Sequence, residues 1–255
     1  MGVLSEIVAQ KQRELASLRA RSLPAPPARR PVKLGRADNA DRLSLITENK
    51  RRSPSAGKLS TLLSVAERTA AYERAGASML SILCDTQFFD GDFTHLQQAR
   101  AVTTVPLLCK EFVIDEVQLD AARAYGADAV LIIVRCLTPI RTRELVAAAR
   151  SRELVSFVEV ATEEELPIAL DSGPDLIGVN ARDLDTLAMD AARAARILSA
   201  IPAGIIKAHF SGLSKPEDVK RIRDSGADAA LVGEALMRAD DPEPLLRSLV
   251  AAAGG

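Results

Sequence analysis

Short apolar runs rich in β-branched residues recur along the chain at 43–48, 79–83, 105–110, 129–134, 155–160, 175–180, 204–209 and 229–233. Their length and near-continuous apolar character predict strands buried on both faces. Segments rich in Ala, Leu, Arg and Glu, with helical period, lie between them. Three of these open on a cap residue followed by an acid or amide: Asp115 to Gln118, Thr162 to Glu165 and Ser214 to Glu217. Pro167, soon after the second cap, leaves that helix start undefined. The stretches RAGASML, AYGADAVLII, DSGPDLIGV and DSGADAALVG each place a glycine, at 76, 126, 173 and 226, where a helix must turn before the next strand. These glycines are 50, 47 and 53 residues apart, about two strand-helix units each. Eight units of about 25 residues predict an α/β fold, a (β/α)8 TIM barrel. A doubly wound open sheet fits less well, because no GxGxxG follows the first strand.

Ahead of the repeats, Leu4, Ile7, Val8, Leu15 and Leu18 recur among charges, predicting an amphipathic helix over 3–20 that SLPAPPARRP terminates. The expected organisation is one barrel domain over 1–255, with an extra N-terminal helix and Pro-rich strap in 1–40 and the barrel in 41–255.

Composition narrows the functional classes. The 255 residues are 47% apolar, and 33 Lys+Arg against 34 Asp+Glu leave a net charge of −1. Such a balance supplies no field to draw in nucleic acid or a membrane surface, so neither is an expected partner. No apolar run approaches the length of a membrane span and the charged N-terminus has no secretory core, so a cytoplasmic location is expected. Cys84, Cys109 and Cys136 are odd in number and lack CxxC spacing, which argues against a disulfide framework and a zinc site. They read as small buried hydrophobes.

Reactive groups of a barrel belong at the carboxyl ends of its strands. The first strand ends in Thr47-Glu48-Asn49-Lys50, and Glu48 and Lys50, two apart, face one side of an extended segment. The third, VPLLCKEF, ends in Lys110; alternation puts Lys110 and Leu108 on one face and Cys109 on the other. A lysine in that position is either a general acid or base or a rim residue reaching for water. The fifth strand carries Glu159 inside an apolar run, and the sixth ends in Asn180 with Arg182 two further on. Acid, base, amide and guanidinium thus converge on one rim, which favours an active site over four separate structural roles. Strands seven and eight end in Ser211-Gly212 and Gly233-Glu234, small residues at the two loops where barrels commonly bind phosphate. Phe210, bulky and uncharged, stands oddly beside that anion site.

With these residues placed, the chain resembles the indole-3-glycerol-phosphate synthase family. The stretches that carry the resemblance are TENKRRSPSAG, SILCDTQFFDG, LLCKEFVID, FVEV, IGVNARDL, FSGL and LVGEALMRADDP, in order from about residue 44 to 242. The resemblance implies a carbon-carbon lyase that needs no cofactor and no metal. It would close the ring of 1-(2-carboxyphenylamino)-1-deoxyribulose 5-phosphate with loss of CO2 and water, a step of tryptophan biosynthesis. It further implies Lys110 as general acid on the ketone, and Glu159 and Glu48 as the carboxylates that handle protons during dehydration. Lys50, Ser53, Asn180, Arg182 and Phe210 would contact the substrate. Ser211, Gly212, Gly233 and Glu234 would hold its phosphate, the last by its backbone N–H. A monomer acting on a small phosphorylated molecule is the expected state.

Several positions depart from the family pattern. Phe210-Ser211-Gly212 replaces Glu-Ser-Gly, Lys110-Glu111-Phe112 replaces Lys-Asp-Phe, Asn49 follows Glu48 where an apolar or aromatic residue is usual, and Cys84 stands for Thr. Two other readings therefore accompany the first. One is a paralogue closing a related arylamino-deoxyribulose phosphate, and the other a barrel that binds a phosphorylated ligand without turnover.

Overall fold

The eight apolar runs form the parallel strands β1 (Ser44–Asn49), β2 (Met79–Leu83), β3 (Leu107–Lys110), β4 (Ala129–Ile133), β5 (Val155–Val160), β6 (Leu176–Asn180), β7 (Ile206–Phe210) and β8 (Ala229–Val232). In the computed structural model, which describes residues 2–35 and 42–254, each strand pairs with the next and β8 closes on β1. This is a (β/α)8 barrel, with an additional N-terminal helix over Val3–Arg19. The boundary expected between strap and barrel at 40/41 lies outside the described residues.

Strand alternation divides the core into two. Ile46, Leu108, Leu131, Phe157, Phe210 and Leu231 fill the barrel interior. Leu45, Cys109, Ile132, Val158 and Val179 point outward and pack against the helices. Cys84 and Cys109 are buried in that outer layer as free thiols, while Cys136 is only half-buried.

The two-unit repeat in the sequence has a structural counterpart at the amino ends of the strands. Gly76, Gly126, Gly173 and Gly226 all adopt positive φ. Two residues after three of them, Asp128, Asp175 and Asp228 accept hydrogen bonds from the N–H of Leu107, Ser156 and Lys207, at the starts of β3, β5 and β7. Each carboxylate thus satisfies a backbone donor in the first two residues of the neighbouring strand. Asp128 also pairs with the half-buried Arg100 at 2.7 Å and accepts from Arg30 N–H, which moors the strap.

Local boundaries differ from expectation where side chains override pattern. Asp115 and Gln118 form the predicted capping box. The helix after β7 begins at Pro216, one residue later than its Ser214 signal suggests, because Asp218 reaches back to Ser214 N–H, Ser214 Oγ and Lys215 N–H. The Thr162 cap opens a short 3-10 turn, Glu163–Glu165, before the helix Leu166–Asp171 that contains Pro167. β7 runs one residue further than the apolar run implied, so Phe210 is its last residue rather than part of the following loop.

His209 precedes it and faces the opposite way. Its Nε2–H donates to Ser211 C=O at 3.0 Å, while Nδ1 is buried without a partner. Burial pushes this imidazole down to about 4. The unfolded chain therefore binds more protons than the folded one between the ordinary histidine value and about 4, so stability falls as pH falls through that window. Relative to a His209→Gln variant, the wild type is expected to lose up to about 3 kcal/mol between about pH 7 and pH 4. Urea denaturation of both proteins across that range checks the difference.

Candidate active site

The carboxyl ends of β1, β3, β5 and β6 bring Glu48, Lys110, Glu159 and Asn180 to one cavity. Glu48 is 2% exposed and lies 2.5 Å from Lys50 Nζ. Burial pushes the Glu48 carboxyl up, but the Lys50 and Lys110 ammonium groups outweigh it and hold the group below its ordinary value. Lys110 Nζ stands 3.6 Å from Glu159 Oε2 and 5.8 Å from the centre of the Phe210 ring, within cation–π range. Asn180 links two strands: its Nδ2 donates to Glu159 Oε1 at 3.1 Å, and its Oδ1 accepts from Ser211 Oγ at 2.9 Å and Arg182 N–H at 3.0 Å. The Glu159 orientation is thereby set from β6, and the Ser211 hydroxyl from the same amide.

Two glycines are required by close approach. A Cβ on Gly233 would lie 2.5 Å from Glu48 Oε2, so only glycine at the end of β8 leaves room for that carboxylate. A Cβ on Gly178 would lie 2.5 Å from Phe210 Cε2. The Phe210 ring occupies the space that Gly178 vacates, at 1% exposure. Ser211 and Gly212 both adopt positive φ as the chain leaves β7.

Lys50 and Ser53 belong to the loop after β1, which folds into a small hairpin of Arg52–Ser53 against Gly57–Lys58. Ser53 Oγ accepts from Ala56 N–H within that hairpin. Arg182 donates to Leu187 C=O, which curls the loop after β6 over the rim.

All twelve residues singled out from the sequence line one cavity of about 460 Å³. Its lining charges balance, with the cations Lys50, Lys110, Arg182 and Arg238 against the carboxylates Glu48, Glu111, Glu159 and Glu234; Glu111 pairs with Lys11 at 2.8 Å and Glu234 with Arg238 at 2.9 Å. A partly apolar chamber that offers Lys50, Lys110 and Arg182 at its polar end suits an anion that carries an aromatic or aliphatic body.

Sequence reasoning missed one wall. Val3, Leu4 and Ile7 of the N-terminal helix line the cavity and form its roof, together with Phe89 and Phe112, whose rings pack at 5.8 Å. It also missed Lys11, buried against Asp85 and Glu111. A signal was available, since Lys11 lies on the apolar stripe of its helix, in line with Leu4, Ile7 and Leu18.

Comparison with known proteins bears on this geometry. The family model for indole-3-glycerol phosphate synthase matches residues 2–249. An indole-3-glycerol phosphate synthase of Exiguobacterium sp. is 41% identical over 249 residues, spanning 98% of this chain and 96% of the relative. One of Parafrankia sp. is 39% identical over 252 residues, spanning 98% and 93%. Among solved structures, a 3-hexulose-6-phosphate synthase superposes with a TM-score of 0.66 at 18% identity, covering 82% of this chain and 99% of that one. Thiamine phosphate pyrophosphorylase of Pyrococcus furiosus gives 0.61 at 17% identity, covering 84% and 97%. At such identities these two share the barrel and nothing more specific.

Proposed function

Because the chain belongs to the indole-3-glycerol phosphate synthase family, we propose that it closes the indole ring of 1-(2-carboxyphenylamino)-1-deoxyribulose 5-phosphate, releasing CO2 and water in tryptophan biosynthesis. The single observation that carries the reading is the convergence of Lys110, Glu159, Glu48 and Asn180 in one cavity of a chain matched over residues 2–249 by that family.

In this reading Lys110 donates a proton to the ketone oxygen as the carboxylate-bearing ring carbon attacks the ketone carbon. That carbon–carbon bond forms, the carboxylate leaves as CO2, and its bonding electrons restore the aromatic ring. The new hydroxyl then departs as water, taking a second proton, while the neighbouring methylene loses one to complete the double bond. One proton is consumed overall. Glu159 and Glu48 serve the dehydration as acid and base. Their separate partners, Asn180 for Glu159 and Lys50 for Glu48, support distinct protonation roles. Lys50, Ser53 and Arg182 meet the anionic groups, and Phe210 packs on the substrate. Ser211, Gly212, Gly233 and the backbone of Glu234 take the phosphate. The presence of Lys50, Lys110 and Arg182 in the cavity lining supports this assignment of an anionic ligand.

The same reading treats the chain as one barrel domain with its N-terminal helix and strap, acting as a cytoplasmic monomer on a small phosphorylated molecule. No helix among the described residues is long and apolar enough to cross a membrane.

Incubating the purified protein with the substrate and following indole fluorescence tests the function. Steady turnover is the expected result. No turnover by the wild type, with none gained by Phe210→Glu, would overturn it.

A further inference from the structure

The N-terminal helix carries one charged residue on its buried stripe. Leu4, Ile7, Lys11 and Leu18 are the buried positions of Val3–Arg19. Leu4 and Ile7 face the cavity, and Lys11, one turn beyond Ile7, is 3% exposed. Its ammonium lies 2.7 Å from Asp85 Oδ2, 2.8 Å from Glu111 Oε1 and 3.0 Å from Glu14 Oε2. Three carboxylates thus surround one ammonium within ion-pair distance, and Glu14 Oε2 also accepts a hydrogen bond from it. Asp85 and Glu111 have side chains 0% and 1% exposed, so neither has water as an alternative partner. Such a cluster persists only in one geometry, because removing the cation would strand two desolvated carboxylates.

The carboxylates stand where the site's walls begin. Asp85 follows β2 and accepts, through Oδ1, from the N–H groups of Phe88 and Phe89, which sets the short helix Thr86–Phe89. Glu111 directly follows Lys110 and accepts from Phe112 N–H. The two segments are tied to each other, since Cys84 N–H donates to Lys110 C=O at 3.0 Å. Phe89 and Phe112 are the aromatic pair in the cavity wall. One ammonium therefore joins the roof helix to the peptide that bears Lys110 and to both aromatic walls. The other end of the helix has a weaker tie, from Leu4 N–H to Asp185 Oδ1 at 3.4 Å.

We propose that Lys11 is a positioning residue for the reaction: it seats the Val3, Leu4 and Ile7 roof over the cavity by pinning the N-terminal helix to Asp85 and Glu111. The proposal rests on the assignment of this cavity as the substrate site. Lys11 does not touch the substrate; it acts through the roof and through the segment that carries Lys110. Its loss weakens substrate capture more than it slows the bound substrate's chemistry, because the roof contributes apolar contact and the reacting groups stay on the strands.

The test uses the full chain with Lys11→Met, together with Lys11→Met/Glu111→Gln, in which one of the two stranded carboxylates is neutralised and only Asp85 stays charged. Two quantities are read. Amide hydrogen exchange without substrate reports the helix directly: residues 3–19 are expected to exchange faster in both variants while the barrel strands keep their protection. Steady-state kinetics with 1-(2-carboxyphenylamino)-1-deoxyribulose 5-phosphate are expected to show KM raised about tenfold or more and kcat changed less, in both variants. Unchanged exchange over 3–19 in Lys11→Met would overturn the pin. A double variant with wild-type KM would overturn the positioning role, since burial of charge would then have been the whole effect. A wild type that exchanges as expected but turns nothing over would instead contradict the assignment of the reaction.

Discussion

Lys110→Met is expected to lower kcat about 10³-fold, the scale of a lost general acid, while inorganic phosphate still binds the cavity. The physical case lies in what surrounds the amine. Lys110 ends β3 on the interior face, with Glu159 Oε2 at 3.6 Å and the Phe210 ring at 5.8 Å. Among the described residues the other ammonium lining the cavity, Lys50 Nζ, is held at 2.5 Å by Glu48 and is not free to take its part. Methionine keeps the length and apolar stem of the side chain and removes only the proton donor, so folding should survive. The phosphate groups proposed on β7 and β8 are separate from β3 and should retain their affinity. Stopped-flow and steady-state indole fluorescence give the rate, and inhibition by phosphate gives the affinity. A variant turning over at the wild-type rate would remove Lys110 from the chemistry.

Phe210→Ala is expected to cost about 3–5 kcal/mol of folding stability, the range for deleting a fully buried phenyl group. The ring is 1% exposed and sits against Gly178 on the adjacent strand, where a Cβ would come within 2.5 Å of Cε2. That contact yields a sharper test than the single variant. Gly178→Ala overpacks the wild-type interior and should destabilise it by about 1–3 kcal/mol. In the Phe210→Ala background the added methyl enters vacated space, so the same change should be neutral or stabilising. The resulting double-mutant cycle should show a coupling well above the usual additivity of distant sites. Urea denaturation of the four proteins measures it, and additive effects would show that the ring does not depend on Gly178. Activity carries a second reading of the same residue. The resembling family has a carboxylate where Phe210 stands, and here the Lys110 ammonium has an aromatic face in its place. Phe210 is the position at which this chain's substrate preference or rate is expected to depart furthest from its relatives.

Much of this protein was legible before its strands were assembled. The eight apolar runs, the helical segments between them and the glycines at 76, 126, 173 and 226 specify a barrel because local period and turn chemistry are properties of neighbouring residues. Alternation within a strand was enough to send Lys110 inward and Cys109 outward, and motif order was enough to choose the rim residues. Helix starts were less legible. At Ser214 the cap pattern was one residue early, because Asp218 takes the preceding N–H groups for itself.

Tertiary structure alone decided the rest. It determined that Asn180 spans Glu159 and Ser211, that Glu48 needs Gly233, and that Phe210 needs Gly178. It also laid the N-terminal helix across the barrel mouth and buried Lys11 between Asp85 and Glu111, residues 74 and 100 positions further along the chain. A sequence states which side chains an element offers to its interior. Which of them meet depends on strand register and on the docking of distant segments, and those are set by long-range packing that no local pattern encodes.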